Sequence, residues 1–212
     1  DVHLKTWKVC IRSAGLIIKT FSCEAKPHNL HAYLIKQYPN FTYYTVYEAG
    51  FCGFWIHHAF ETLGIHSTVI NAADVPTTNK EKVNKSDSID CKKLARELEN
   101  GSLTPIYTPT QEELQFRSLF RHRQQVAKDL RKSMLRVTSF IHTKGFEYEG
   151  RNWSLGFRKW LQTLDLLPLD RFTLDQLMDD FTTLKAKDRR LISFLRTSLM
   201  THKRFGDIYS HL

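Results

Sequence analysis

An α/β domain followed by a long helical hairpin is the fold class that the sequence predicts, on three observations. Short β-branched runs alternate with helical stretches up to about residue 100. A long polar loop without periodicity interrupts them at residues 72–86. Beyond residue 110 the apolar residues fall into a seven-residue rhythm.

Residues 7–13 (WKVCIRS) and 16–22 (LIIKTFS) are β-rich runs joined by Ala14-Gly15, which reads as a hairpin turn. Pro27 opens a helical stretch, HNLHAYLIKQY, that stops before Pro39. TYYTVYE (42–48) is the strongest strand signal in the chain, rich in β-branched and aromatic residues. After Ala49-Gly50 comes FWIHHAFETLG, a helix stopped by Gly64, then a short strand, STVIN (67–71). Antiparallel strands followed by β-α-β connections predict a mixed sheet. Asp1 and Val2 would begin a central strand that looks cut short at its front, so residues upstream are expected. AADVPTTNKEKVNKS (72–86) is a loop long enough to be functional. The helix at 87–100 ends at Gly101, and LTPIYTP links it to the next helix. A domain boundary is therefore expected between residues 109 and 110.

In residues 111–143, Leu119, Val126, Leu130, Val137 and Ile141 recur at coiled-coil spacing, with Arg123 and Met134 at intervening seam positions. A second long helix, expected over residues 173–201, repeats the rhythm with Leu174, Leu177, Phe181, Leu184, Leu191 and Leu195. WSLGFRKWLQTLDLLP between them reads as a short aromatic helix, in which Trp153, Phe157 and Trp160 are spaced to pack a core. Residues 110–212 thus predict an antiparallel coiled-coil arm suited to dimerisation.

Composition bounds the function. The 212 residues are 42% hydrophobic and 25% charged, an ordinary globular balance, with a formal net charge of +9. That excess favours polyanions: nucleic acid first, an anionic membrane surface second. No apolar run approaches the roughly 20 residues that span a bilayer. The first residues have none of the regions of a signal peptide. The four cysteines follow no CxxC or zinc-ligand spacing, which argues for reduced thiols in a cytoplasmic setting.

Two aspartates in KSDSID (85–90) open the helix at 87–100 and share a face of its first turn. Helix capping by Ser86 or Asp87 explains them without further function. Glu48 ends the strand TYYTVYE, at the carboxyl edge where ligand sites of open α/β sheets gather, and an exposed strand-end acid is the plain alternative. Asp1 is a fourth acid in a similar setting. If these four met, they would suit two hard divalent ions supporting in-line attack on a phosphodiester.

DVHLKTW (1–7), YEAGFCGFWIHHAFETLG (47–64) and KSDSIDCKKLARELENGSLTPIYTP (85–109) together resemble the DEDD transposases of the insertion-sequence one-ten group, akin to the Piv-type DNA invertases. The resemblance, which extends to the helical arm, implies a RuvC-like, ribonuclease-H-type domain (1–109) and a coiled-coil dimerisation arm (110–212). By motif match it puts the catalytic, metal-binding acids at Asp1, Glu48, Asp87 and Asp90, with two Mg²⁺ ions expected and Mn²⁺ as an alternative. Cys91 stands where such proteins usually carry alanine, and Leu4 sits between His3 and Lys5 where a shorter motif is common. The family continues into a domain bearing a serine nucleophile, which is absent from this sequence: it stops at GDIYSHL. The resemblance further implies DNA and an element-encoded noncoding guide RNA as partners. It also implies dimers and tetramers built through the arm, no membrane, and a nucleoid-associated place in the cytoplasm of a bacterial or archaeal cell.

Basic residues complete the expectation. Arg117, Arg121, Arg123, Lys128, Arg131, Lys132 and Arg136 crowd the first arm helix, and Lys80, Lys82 and Lys85 lead into KSDSID. With the net charge and the resemblance, phosphate contact is the favoured role of the arm residues over that of a solvated helix face, while for the three loop lysines phosphate contact and a merely soluble loop both stay open. The leading expectation is a metal-dependent DNA transposase or recombinase. A RuvC-like junction-resolving nuclease and a non-catalytic nucleic-acid-binding dimer are the alternatives.

Overall fold

The computed structural model describes residues 1–76 and 86–202, in two compact units, Asp1–Pro109 and Thr110–Leu212. The first unit is mixed α/β. Strands β1 (Thr6–Ser13) and β2 (Leu16–Glu24) form an antiparallel hairpin with an irregularity between Ile11 and Arg12. Its turn residues, Ala14 and Gly15, both have positive φ, 48° and 79°, the handedness that matches the twist of a two-residue hairpin. Pro27, whose fixed φ suits a first helical turn, begins α1 (Pro27–Gln37). Strand β3 (Tyr44–Glu48), helix α2 (Trp55–Thr62) and strand β4 (His66–Ile70) make a β-α-β unit in which β3 and β4 run parallel. Gly64, at φ 76°, turns the chain from α2 into β4. Pro105 bridges to Ile70, and α3 (Asp87–Glu99) precedes it.

The expected single mixed sheet is replaced, among the described residues, by two two-stranded sheets, one antiparallel and one parallel. β1 and β3 do not pair, and residues of both line one cavity. Helices cover both faces. On one, Leu30 and Leu34 of α1 and Ile56 and Phe60 of α2 bury Trp7, Tyr47 and Val69. On the other, Leu94 of α3 packs with Ile70, Val75 and Val46. Glu99, near the end of α3, accepts from the Arg12 guanidinium at 2.8 Å and from the Gly15 N–H at 2.7 Å, which fastens that helix to the hairpin turn.

The second unit is a helical hairpin: α4 (Gln111–Thr143), α5 (Leu155–Thr163) and α6 (Pro168–Thr201). A capping box between Thr110 and Glu113 starts α4. Helix α6 begins five residues before the expected 173, because Pro168 at its first turn lacks the N–H that would go unpaired there anyway. Early residues of α4 meet the C-terminal part of α6 and its cap, so the two run antiparallel: Glu112 with the cap residue His202 at 3.1 Å, and Arg123 with Asp188 at 3.0 Å. At the turn end, Val137, Ile141, Phe157, Leu161 and Leu174 are fully buried around Trp153, whose ring lies 4.3 Å from that of Phe181. The three aromatics of the connector therefore belong to this core.

Candidate metal centre

Asp1 enters the site on extended backbone. Its nitrogen donates to the Lys8 carbonyl at 2.9 Å, and the Lys8 N–H donates back to the Asp1 carbonyl at 2.9 Å. This reciprocal pair fixes Asp1 against the edge of β1. Side chains alternate along an extended chain, so His3 returns to the side of Asp1. Its Nε2 lies 3.3 Å from an Asp1 carboxylate oxygen and 3.8 Å from one of Asp87. Asp1, His3 and Asp87 each offer a ligand atom, all within 4.8 Å of one another.

The N-terminus of α3 presents the two aspartates. Ser86 is the cap, its hydroxyl accepting from the Ile89 N–H at 3.4 Å, so Asp87 and Asp90 are left to project from the first turn. Asp87 is largely exposed, at 67% of its side chain. Asp90 is sheltered at 19%, and the nearly buried Lys93 ammonium sits 3.7 Å from it.

Glu48 closes β3. Val46, two residues earlier, packs with Leu94 of α3, whereas Tyr47 belongs to the core under α1 and α2. Alternation then puts Glu48 on the same face of the sheet as Asp87 and Asp90. The α-amino group of Asp1 reports the same clustering. Burial pushes it below its ordinary value, while Cys91, Glu48, Asp87 and Asp90 pull it back up through their negative charges. Asp1 and Asp87 meet directly, and the charges of Glu48 and Asp90 reach the same amino group.

The tightest group nevertheless contains His3 rather than Glu48 or Asp90. His3 stands inside DVHLKTW and drew no expectation. Its spacing of two from Asp1 on an extended chain was the available signal.

The basic candidates divide. At ~100° per residue, Arg117, Arg121, Lys128, Arg131, Lys132 and Arg136 fall within an arc of roughly 140° on α4, opposite the seam of Val126, Ser133 and Val137. All six are exposed. Arg123 lies on the other side, in the seam, paired with Asp188. Lys80, Lys82 and Lys85 lie outside the described residues. No helix among the described residues is long and apolar enough to cross a membrane.

Comparison with known proteins agrees with the motifs. The model of the IS110-type DEDD family, described as "Transposase", matches residues 1–143. "Putative transposase y4qE" of Sinorhizobium fredii is 31% identical over 122 residues, 56% of this chain and 30% of that protein. "Putative transposase y4rJ" of the same organism is 30% identical over 106 residues, 47% of this chain and 27% of that one. "Transposase for insertion sequence element IS1533" of Leptospira borgpetersenii is 26% identical over 121 residues, 56% of this chain and 35% of that protein. The aligned stretch spans about a third of the length of these relatives. With the family model covering more than half of its residues, including every one of the four acids, the chain belongs to the DEDD transposase family of the IS110 insertion sequences.

Proposed function

We propose that this chain is the metal-binding, DNA-cleaving part of a transposase, with a RuvC-like first unit that holds two divalent cations through Asp1, Glu48, Asp87 and Asp90. The observation that carries the reading is the meeting of Asp1, from the edge of β1, with Asp87, from the first turn of α3, on the face of the sheet that Glu48 shares. Carboxylate oxygens from three separate segments are the donor set that hard divalent ions take, Mg²⁺ or Mn²⁺ in particular. Cations held there would activate an attacking oxygen and stabilise a leaving one at a DNA phosphodiester.

The chain's own residues have distinct tasks in this reading. Lys8 holds the Asp1 backbone in place through two hydrogen bonds. His3, between Asp1 and Asp87, orients both carboxylates and offers nitrogen to ions that accept it. Lys93 holds Asp90 from within the fold. The exposed basic face of α4 carries phosphates of the DNA or of an element-encoded guide RNA. The helical hairpin pairs with a second copy as a coiled coil, through apolar residues such as Leu169, Phe172 and Phe194 that α6 leaves exposed within about 60° of one another. A serine-bearing domain supplied by the full-length protein completes strand exchange, in the cytoplasm of the cell that carries the element.

The test uses the full-length transposase with Mg²⁺ or Mn²⁺. Glu48→Ala and Asp90→Ala should each abolish cleavage, by more than the roughly 10–100-fold typical of residues that only support a ligand. The same changes should weaken Mn²⁺ binding measured by electron paramagnetic resonance without DNA. Cleavage that survived either change would leave a non-catalytic nucleic-acid-binding dimer. Hydrolysis of branched DNA without strand exchange by the intact protein would favour a junction-resolving nuclease.

A further inference from the structure

The second long helix of the arm carries its own row of positive charge. From residue 185 to the end of α6 the single acid is Asp188, and Arg123 holds it at 3.0 Å. At ~100° per residue, Lys185, Arg189 and Arg196 fall within about 40° of one another, along roughly 17 Å of helix. Arg158 of α5 joins the row at its start. Burial first, and then the positive charges of Arg158 and Arg189, hold the Lys185 ammonium below its ordinary pKa. The same ammonium lies 5.3 Å from the centre of the Phe181 ring, at the edge of the core. The Arg158 Nε is out of solvent and has no hydrogen-bond partner. Among the described residues, none of Arg158, Lys185, Arg189 and Arg196 has an ion pair. Arg189 also lines a groove of about 450 Å³ that runs on to Ser193, Arg196 and Thr197. A merely solvated row would keep its charges apart and wet. This one gathers three cations and takes a guanidinium N–H out of water, which costs free energy unless an anion comes to it.

We propose that Arg158, Lys185, Arg189 and Arg196 form a track for one phosphodiester strand of a nucleic acid, separate from the basic face of α4. Guanidinium forks match phosphate oxygens, Lys185 adds a point charge, and the Ser193 hydroxyl adds a donor beside them. The row on α6 is one side chain wide, so it takes successive phosphates of a single strand and reads no bases. It lies about 100° or more round α6 from Leu169, Phe172 and Phe194. Pairing of two arms through those apolar residues therefore leaves the track open. The proposal goes beyond the catalytic reading and does not depend on it, since no metal takes part and no residue of the first unit is involved.

The test measures binding of a labelled single-stranded oligothymidylate to the whole chain by fluorescence anisotropy, over a salt series and without divalent metal. Lys185→Gln, Arg189→Gln and Arg196→Gln together should weaken binding about tenfold or more. They should also reduce the salt slope by about 2, at ~0.7 per phosphate contact on a single strand. Circular dichroism checks that this variant is folded. A second arm needs no variant: in the unsubstituted chain, saturating oligothymidylate should slow acetylation of Lys185 by acetic anhydride several-fold, read by mass spectrometry. An unaltered slope in the folded variant, or equal acetylation of Lys185 with and without the oligonucleotide, would overturn the track. So would a variant that binds normally but no longer self-associates, because the row would then belong to acids of a second copy.

Discussion

At the scale of single residues, Tyr47 shows how the fold shelters the strand that carries Glu48. Its ring is buried, and its hydroxyl donates to the Gly53 carbonyl at 3.0 Å while accepting from the His57 N–H at 3.3 Å. Burial pushes its pKa up to about 12, against an ordinary value near 10. The unfolded chain therefore ionises first as pH rises. The stability linked to this group is complete below pH ~10 and is lost as pH climbs through the folded value, by an amount on the order of 2–3 kcal/mol. Tyr47→Phe should flatten that alkaline loss while lowering stability at neutral pH by about 1 kcal/mol for the missing hydrogen bonds. Urea unfolding at neutral pH and across the alkaline window reads both effects. A variant with the same alkaline slope as the parent chain would show that another group controls it. The four carboxylates could be proposed at this same scale because they stand in compact motifs. His3 was not, since a histidine gains meaning here only from two aspartates that the fold brings to it.

Elements were read well where one local rule sufficed. The heptad residues of α4 and α6 are those turned inward, because a 3.5-residue period needs no knowledge of the partner. The Ala14-Gly15 turn was legible for a similar reason: it is the two-residue break between β-rich runs. Strand pairing was less so. Which edges meet is a long-range choice, and nothing in WKVCIRS or TYYTVYE states that β1 and β3 stand apart across a cavity. The turn also carries a local conflict. Ala14 sits at φ 48°, where a Cβ crowds the backbone at a cost of roughly 1–2 kcal/mol, and asparagine tolerates that region better. Ala14→Asn should therefore raise the unfolding midpoint of the first unit by a few degrees. Calorimetry is the check. An unchanged or lower midpoint would mean that the turn relaxes its φ in solution.

For the molecule as a whole, charge and shape meet on α4. The seam side of this helix is used up by the hairpin, down to Arg123, whose charge Asp188 answers. The opposite side keeps Arg121, Lys128, Arg131, Lys132 and Arg136 in solvent, an arrangement that costs self-repulsion unless a polyanion meets it. The sequence showed the excess of +9 but not its sidedness, which appears only when helical angle is set against the buried seam. If this face carries phosphates, each contact releases a counterion. The logarithm of affinity should then fall with the logarithm of salt concentration by about 0.9 per contact on duplex DNA. Replacing Lys128, Lys132 and Arg136 together with alanine should weaken binding of unrelated duplexes about equally and reduce the slope by about 3. Arg123→Ala should instead lower the stability of the hairpin and leave the slope alone, because its guanidinium is spent inside the unit. Fluorescence anisotropy over a salt series separates the two outcomes. A triple variant with an unaltered slope would move the nucleic-acid face elsewhere on the protein.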